Sequence, residues 1–129
     1  MINTHVVSLD LALALRDAGY PQSDSLFIWT RAWTRKGGTL RKDGKWYIAY
    51  NQYHGEGNLA APLASELMER MEGRLQHRFL LTIQKPDPDA YSAAYDDTVN
   101  AESLAYNCEK TLPDALAKSW LHLRKASLI

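Results

Sequence analysis

One stretch, TLPDALAKSWLHLR from Thr111 to Arg124, constrains the fold more than any other. Thr111 suits an N-cap, and Asp114 stands three residues on, where its carboxylate can reach back in a capping box. Pro113 falls in the first turn, where its missing N–H costs little. Leu112, Leu116, Trp120 and Leu123 recur at four, four and three, which draws one apolar stripe along a helix. Lys118, His122 and Arg124 sit toward the C-terminal end, where the helix dipole favours cations. Such a helix has to lie on another layer, and the other periodic segments say that the layer is a sheet.

A first helix is expected from Ser8 to Ala18. Ser8 is a good N-cap, Leu11 and Leu15 repeat at four, and Gly19 offers the left-handed C′ position before Pro21. LFIWTRAW, Leu26 to Trp33, is β-branched and aromatic and reads as a strand. KWYIAYNQ, Lys45 to Gln52, reads as its return, with Trp46, Ile48 and Tyr50 on one face. Between them lie two turn signals, Gly37-Gly38 and Asp43-Gly44, and the second is the stronger type I′ hairpin signal. Pro62 to Glu72 predicts a second helix carrying Leu63, Leu67 and Met71. Arg74 to Lys85 and Tyr91 to Tyr95 predict two further strands, separated by a PDPDA turn. Ala101 to Cys108 places Ala101, Leu104, Ala105 and Cys108 at helical spacing and predicts a short helix that buries the thiol. The expectation is an α+β fold: a single domain over residues 1–129, with a mainly antiparallel sheet of about four strands covered by about three helices.

Composition fits that expectation. At 129 residues a chain buries roughly 65–70% of its unfolded surface and needs no disulfide or metal to hold together. It is 46% hydrophobic and 23% charged with zero formal net charge, so no global attraction to nucleic acid or to an anionic membrane is implied. The lone Cys108 fits a reducing compartment. The N-terminus has no basic n-region, and Asp10 and Arg16 interrupt its apolar run, so neither a signal peptide nor a membrane span is expected. A cytoplasmic protein is expected.

Four segments in chain order carry a resemblance. They are VSLDLALALRDAGYPQ from Val7, DSLFIW from Asp24, LAAPLASEL from Leu59 and TLPDALAKSWLHL from Thr111. Together they resemble a group of small phage- and prophage-encoded bacterial proteins of unassigned function. That group often has Ala-Pro-Thr where this chain has Ala61-Pro62-Leu63, which removes a hydroxyl cap from the second helix. The resemblance implies an origin in a mobile element and carries no functional residue across.

Candidate chemistry comes from the residues alone. Arg31, Arg35, Lys36, Arg41, Lys42 and Lys45 fall within fifteen residues, interleaved with Trp33, Trp46 and Tyr47. A hairpin over 31–47 with cationic edges and aromatic faces has the chemistry to track a phosphate backbone and stack bases. The plainer use of such cations is to protect a sheet edge from aggregation. His54 and Glu56 share a glycine-rich loop and could form an acid–base pair. Two ligands do not make a metal site, and no cofactor motif is present, so no metal or cofactor is expected. Asp87, Asp89, Asp96 and Asp97 bracket the fourth expected strand and suit turns better than an ion. These signals favour a non-enzymatic accessory or interaction module that meets a protein partner or itself and no membrane. A weak nucleic-acid binder using the basic hairpin comes second, and a hydrolase or metal-dependent activity near His54 and Glu56 third.

Overall fold

The computed structural model describes residues 4–51 and 57–129. In chain order these form α1 (Leu9–Asp17), β1 (Phe27–Arg31), β2 (Thr34–Lys36), β3 (Thr39–Arg41), β4 (Trp46–Tyr50) and β5 (Leu59–Ala60). Then come α2 (Ala64–Glu69), β6 (Arg74–Leu75), β7 (Phe79–Asp87), β8 (Ala90–Asp97), β9 (Glu102–Glu109) and α3 (Leu112–Lys125). The fold is α+β, and every strand pairing among the described residues is antiparallel. The largest sheet has four strands in the order β6-β7-β8-β9. A second runs β4-β1-β5, and β2-β3 stands as a hairpin of its own.

The last helix organises the core as its sequence demands. Leu116, Trp120 and Leu123 are buried, joined by Pro113, Ala115, Ala117 and Ser119. The small residues widen the buried face, so α3 meets β8, β9, α1 and α2. Helices α1 and α3 run side by side in the same direction and are tied at both ends. At one end the Ser8 N–H donates to Asp114 Oδ1 at 2.8 Å. At the other, Arg124 Nε donates to the Ala18 carbonyl at 3.2 Å. Asp114 therefore caps its neighbour instead of completing a box with Thr111, whose hydroxyl still accepts from the Asp114 N–H. Gly19, at φ 90°, closes α1 in a Schellman motif: Tyr20 N–H bonds to the Leu15 carbonyl and Gly19 N–H to that of Arg16. The Tyr20 ring then meets Trp120 edge-on at 5.3 Å.

Helix α2 is shorter than the periodicity suggested. Leu63 holds the N-cap position with no hydroxyl to offer, and Glu66 supplies the return half of the box by accepting the Leu63 N–H at 2.9 Å. The other oxygen of Glu66 accepts the Leu26 N–H at 3.1 Å, which fixes the entry into β1.

Two expectations are corrected. Residues 102–109 form β9 and not a helix. Its pairing with β8 slips between Ala93/Tyr95, because Ala105 (φ 56°) forms a bulge. A bulge inserts one extra residue, so the neighbours Leu104 and Ala105 are both turned from solvent and break the two-residue alternation of a strand. Cys108 is consequently exposed, not buried. The second correction concerns the turn between β1 and β4. The tight hairpin turn is Gly37-Gly38, with φ of 58° and 81°, and not Asp43-Gly44.

Candidate functional site

Strands β1 and β4 pair from Phe27↔Tyr50 to Arg31↔Trp46. The pairing continues one step, with Ala32 N–H donating to the Lys45 carbonyl and Gly44 N–H to that of Ala32. Beyond it the chain leaves the body as the β2–β3 arm. Thr34 is half-buried and the other five strand residues of the arm are exposed, as are both turn glycines. Gly44 has a steric reason to be glycine: an added Cβ would come within 2.8 Å of the Ala32 carbonyl oxygen. The Thr34 hydroxyl hydrogen-bonds to the Asp43 carboxylate and holds that carboxyl below its ordinary range, with the charges of Lys36 and Arg31 adding to the effect. The arm is thus locked at its root and open along its length.

The expected ribbon of cations and aromatics divides here into parts with different duties. Arg31 serves the fold: its guanidinium donates to the carbonyls of Gly44 (3.1 Å) and Asp43 (2.5 Å) and lies 5.6 Å from the centre of the Trp46 ring. Lys42 Nζ donates to Asn58 Oδ1 at 2.9 Å, and Thr30 Oγ1 donates to the same oxygen at 2.7 Å. Arg35, Lys36, Arg41 and Lys45 are exposed, and their side chains make no hydrogen bond or ion pair among the described residues. Trp46 packs against the core, whereas Tyr47, the next residue, shows on the opposite face of the sheet at 48% exposure. Trp33, at the arm's root, is 64% exposed. The nine residues of the ribbon therefore do not share one surface.

Sequence reasoning missed the apolar share of this region. Leu40 (56% exposed) stands on β3 opposite Arg35, and Leu26 and Tyr50 are also exposed. Leu40 is flanked by Thr39 and Arg41 with no periodic partner, and an unsupported apolar residue between polar ones was the available signal. Leu26, Trp33, Leu40, Tyr47 and Tyr50 all fall between residues 26 and 50.

The other candidates fare differently. His54 and Glu56 lie outside the described residues. The acids Asp87 and Asp89 sit at the β7–β8 turn, while Asp96 and Asp97 lie at the far end of β8. They form no single site: Asp87 accepts the Asp89 N–H in a turn, and Asp97 binds Asn100, Val99 and Arg78. The side-chain amide of Asn100 is the chief reason the Asp97 carboxyl is held below its usual range. Among the described residues no group of three His, Cys, Asp or Glu side chains is placed to hold a metal ion. Asn107 faces α3, bonding Ser119 at 3.3 Å, so Cys108 beside it faces away from the helix that carries His122. A cavity of about 690 Å³ lies at the start of α3, lined by His5, Asp89, Tyr91, Lys110 and Thr111 among others. No described helix is long and apolar enough to cross a membrane. In comparisons with protein-family models, curated proteins and solved structures, the chain matches none.

Proposed function

We propose that this chain is a non-enzymatic interaction module whose contact surface is the β2–β3 arm, and that its partner is a protein with an acidic, partly apolar face. The observation that carries this reading is the arm's exposure: Arg35, Lys36, Leu40 and Arg41 all face solvent on a hairpin rooted by Arg31, Gly44 and the Thr34–Asp43 bond. Between residues 31 and 47 six cations face one acid, so the region is strongly positive on a chain of zero net charge. Cations steer an acidic partner and set orientation, while the Trp33 and Leu40 side chains supply the apolar area that slows dissociation. A second copy of the chain is the other candidate partner. The segment resemblance supports an accessory role in a phage or prophage and, with it, a bacterial cytoplasm.

The test is the paired variant Trp33→Ser/Leu40→Ser. Both side chains are exposed, so thermal melting should match the wild type while retention of the partner by the immobilised protein falls at least tenfold. Equal retention by wild type and variant would contradict the assignment.

Nucleic acid is the second reading, favoured by the free charge of Arg35, Lys36, Arg41 and Lys45 beside Trp33. It requires a labelled single-stranded oligonucleotide to bind at ~50 mM salt with an affinity that falls steeply as salt rises. Replacing Arg41, Lys42 and Lys45 by Gln should then abolish binding. No binding at that salt would retire it. A hydrolase centred on His54 and Glu56 is the third reading, and a His54→Ala variant with undiminished hydrolytic activity would remove it.

A further inference from the structure

A smaller cleft opens at the root of the arm, on the body side. It has a volume of about 270 Å³ and is lined by Leu13, Arg16, Arg31, Lys42, Trp46, Gly57 and Asn58. Three of these side chains are cations and none is acidic. They come from three places in the chain: Arg16 from α1, Arg31 from the end of β1, and Lys42 from the connection between β3 and β4. Nothing in the sequence spacing announces their meeting.

Two of the cations are held in position. The Arg31 guanidinium is fixed by the Gly44 and Asp43 carbonyls and by the Trp46 ring, and Lys42 is fixed by Asn58, itself held by Thr30. Donors remain after these bonds. A guanidinium has five N–H donors and an ammonium three. Arg31 uses Nε and one Nη2 proton, and Lys42 uses one proton on Asn58. Arg16 pairs with Asp17 through Nε and Nη2, an exposed contact that leaves Nη1 without a partner among the described residues. Arg16 is paired with Asp17 and Arg31 acts on the nearby Asp43 carboxylate, but the cleft lining itself carries three cations and no acid among the described residues, which favours an anion there.

We infer that this cleft is a binding site for a phosphate group, free or as a small monoester. Preorganised guanidinium and ammonium donors match the oxygens of a tetrahedral oxyanion, which is why such sets recur at phosphate sites. The Trp46 ring is engaged by Arg31 on one face and packs against the core, so the proposed ligand is read through its phosphate. The site stands apart from the arm's contact with a partner, because its residues lie at the root and not along β2 or β3.

Titration of inorganic phosphate into the isotopically labelled protein, at ionic strength held constant with chloride, tests this. The backbone amides of Gly44, Gly57 and Asn58 should shift and saturate with a dissociation constant of ~1 mM or below, the range of a weak single-anion site. Arg16→Gln/Lys42→Gln should weaken binding at least tenfold. Arg16→Gln alone, on an exposed helix position, keeps the test open if the double variant loses its fold. A nucleoside 5′-monophosphate and O-phosphoserine should each bind as inorganic phosphate does, since only the shared group is read. Absence of saturable shifts at these amides, or unchanged binding by the charge-removed variants, would overturn the inference.

Discussion

Ser119 shows how much one small polar side chain can hold. It is fully buried on α3, and its hydroxyl reaches the carbonyls of Ala93 (3.1 Å) and Ala105 (2.7 Å) while accepting from the Asn107 amide. Those carbonyls flank the bulge in β9, where the regular ladder is interrupted. Ser119→Ala should therefore cost about 1–3 kcal/mol, the penalty for leaving buried polar groups unpaired. A loss below ~0.5 kcal/mol in urea melts would mean the bulge needs no help from α3. Cys108, on the outward side of the same strand, should react with a thiol reagent as fast in the native protein as after unfolding. Slow native labelling would place it inside.

At the same scale, Asp114 makes stability depend on pH. Burial is the main effect and raises its carboxyl above the ordinary 3.8, against the opposing bonds from Ser8. The fold thus prefers the protonated form. The stability this contributes is complete below 3.8 and is lost as the pH rises through the raised value. Asp114→Asn, which stays neutral, should gain on the wild type as the pH rises from below 3.8 through the raised value. A stability difference that does not change with pH would contradict the desolvation of this group.

Among the elements, the helices were the most legible in sequence, because their signals are local. Thr111, Pro113, the Leu116–Trp120–Leu123 stripe and the Gly19 cap each act within a turn or two of their own position. Trp120→Ala should cost roughly 3–5 kcal/mol, the usual result of emptying a large aromatic core site. A cost below about 1 kcal/mol would mean that α3 is turned the other way. The C-terminal end of α3 repeats the Schellman bonds of α1, but Ser127 takes the left-handed C′ position at φ 59°. Ser127→Gly should stabilise by about 0.5–1 kcal/mol, since glycine adopts that conformation without the Cβ penalty. The strands were less legible because their register depends on distant partners. The β9 bulge hid the two-residue alternation of a strand, and Asp43-Gly44 imitated a hairpin turn although Gly44 is held by close approach to Ala32.

For the whole molecule, the basic stretch 31–47 was visible in sequence as charge, but its division was not. Which cations are bound to carbonyls and which reach solvent is decided by β1–β4 pairing and by Asn58, over separations that composition does not encode. The apolar part of the surface was hidden because exposure, not residue type, marks Leu40 and Trp33.

The direct test of the arm as the contact surface is site-specific photo-crosslinking in the organism that encodes the protein. A photoreactive amino acid would stand at Leu40 or Trp33, and in a control at Val99, which is 90% exposed on the β8–β9 turn. The account predicts one discrete adduct from both arm positions and none from Val99. No adduct from the arm, or the same adduct from all three positions, would contradict it.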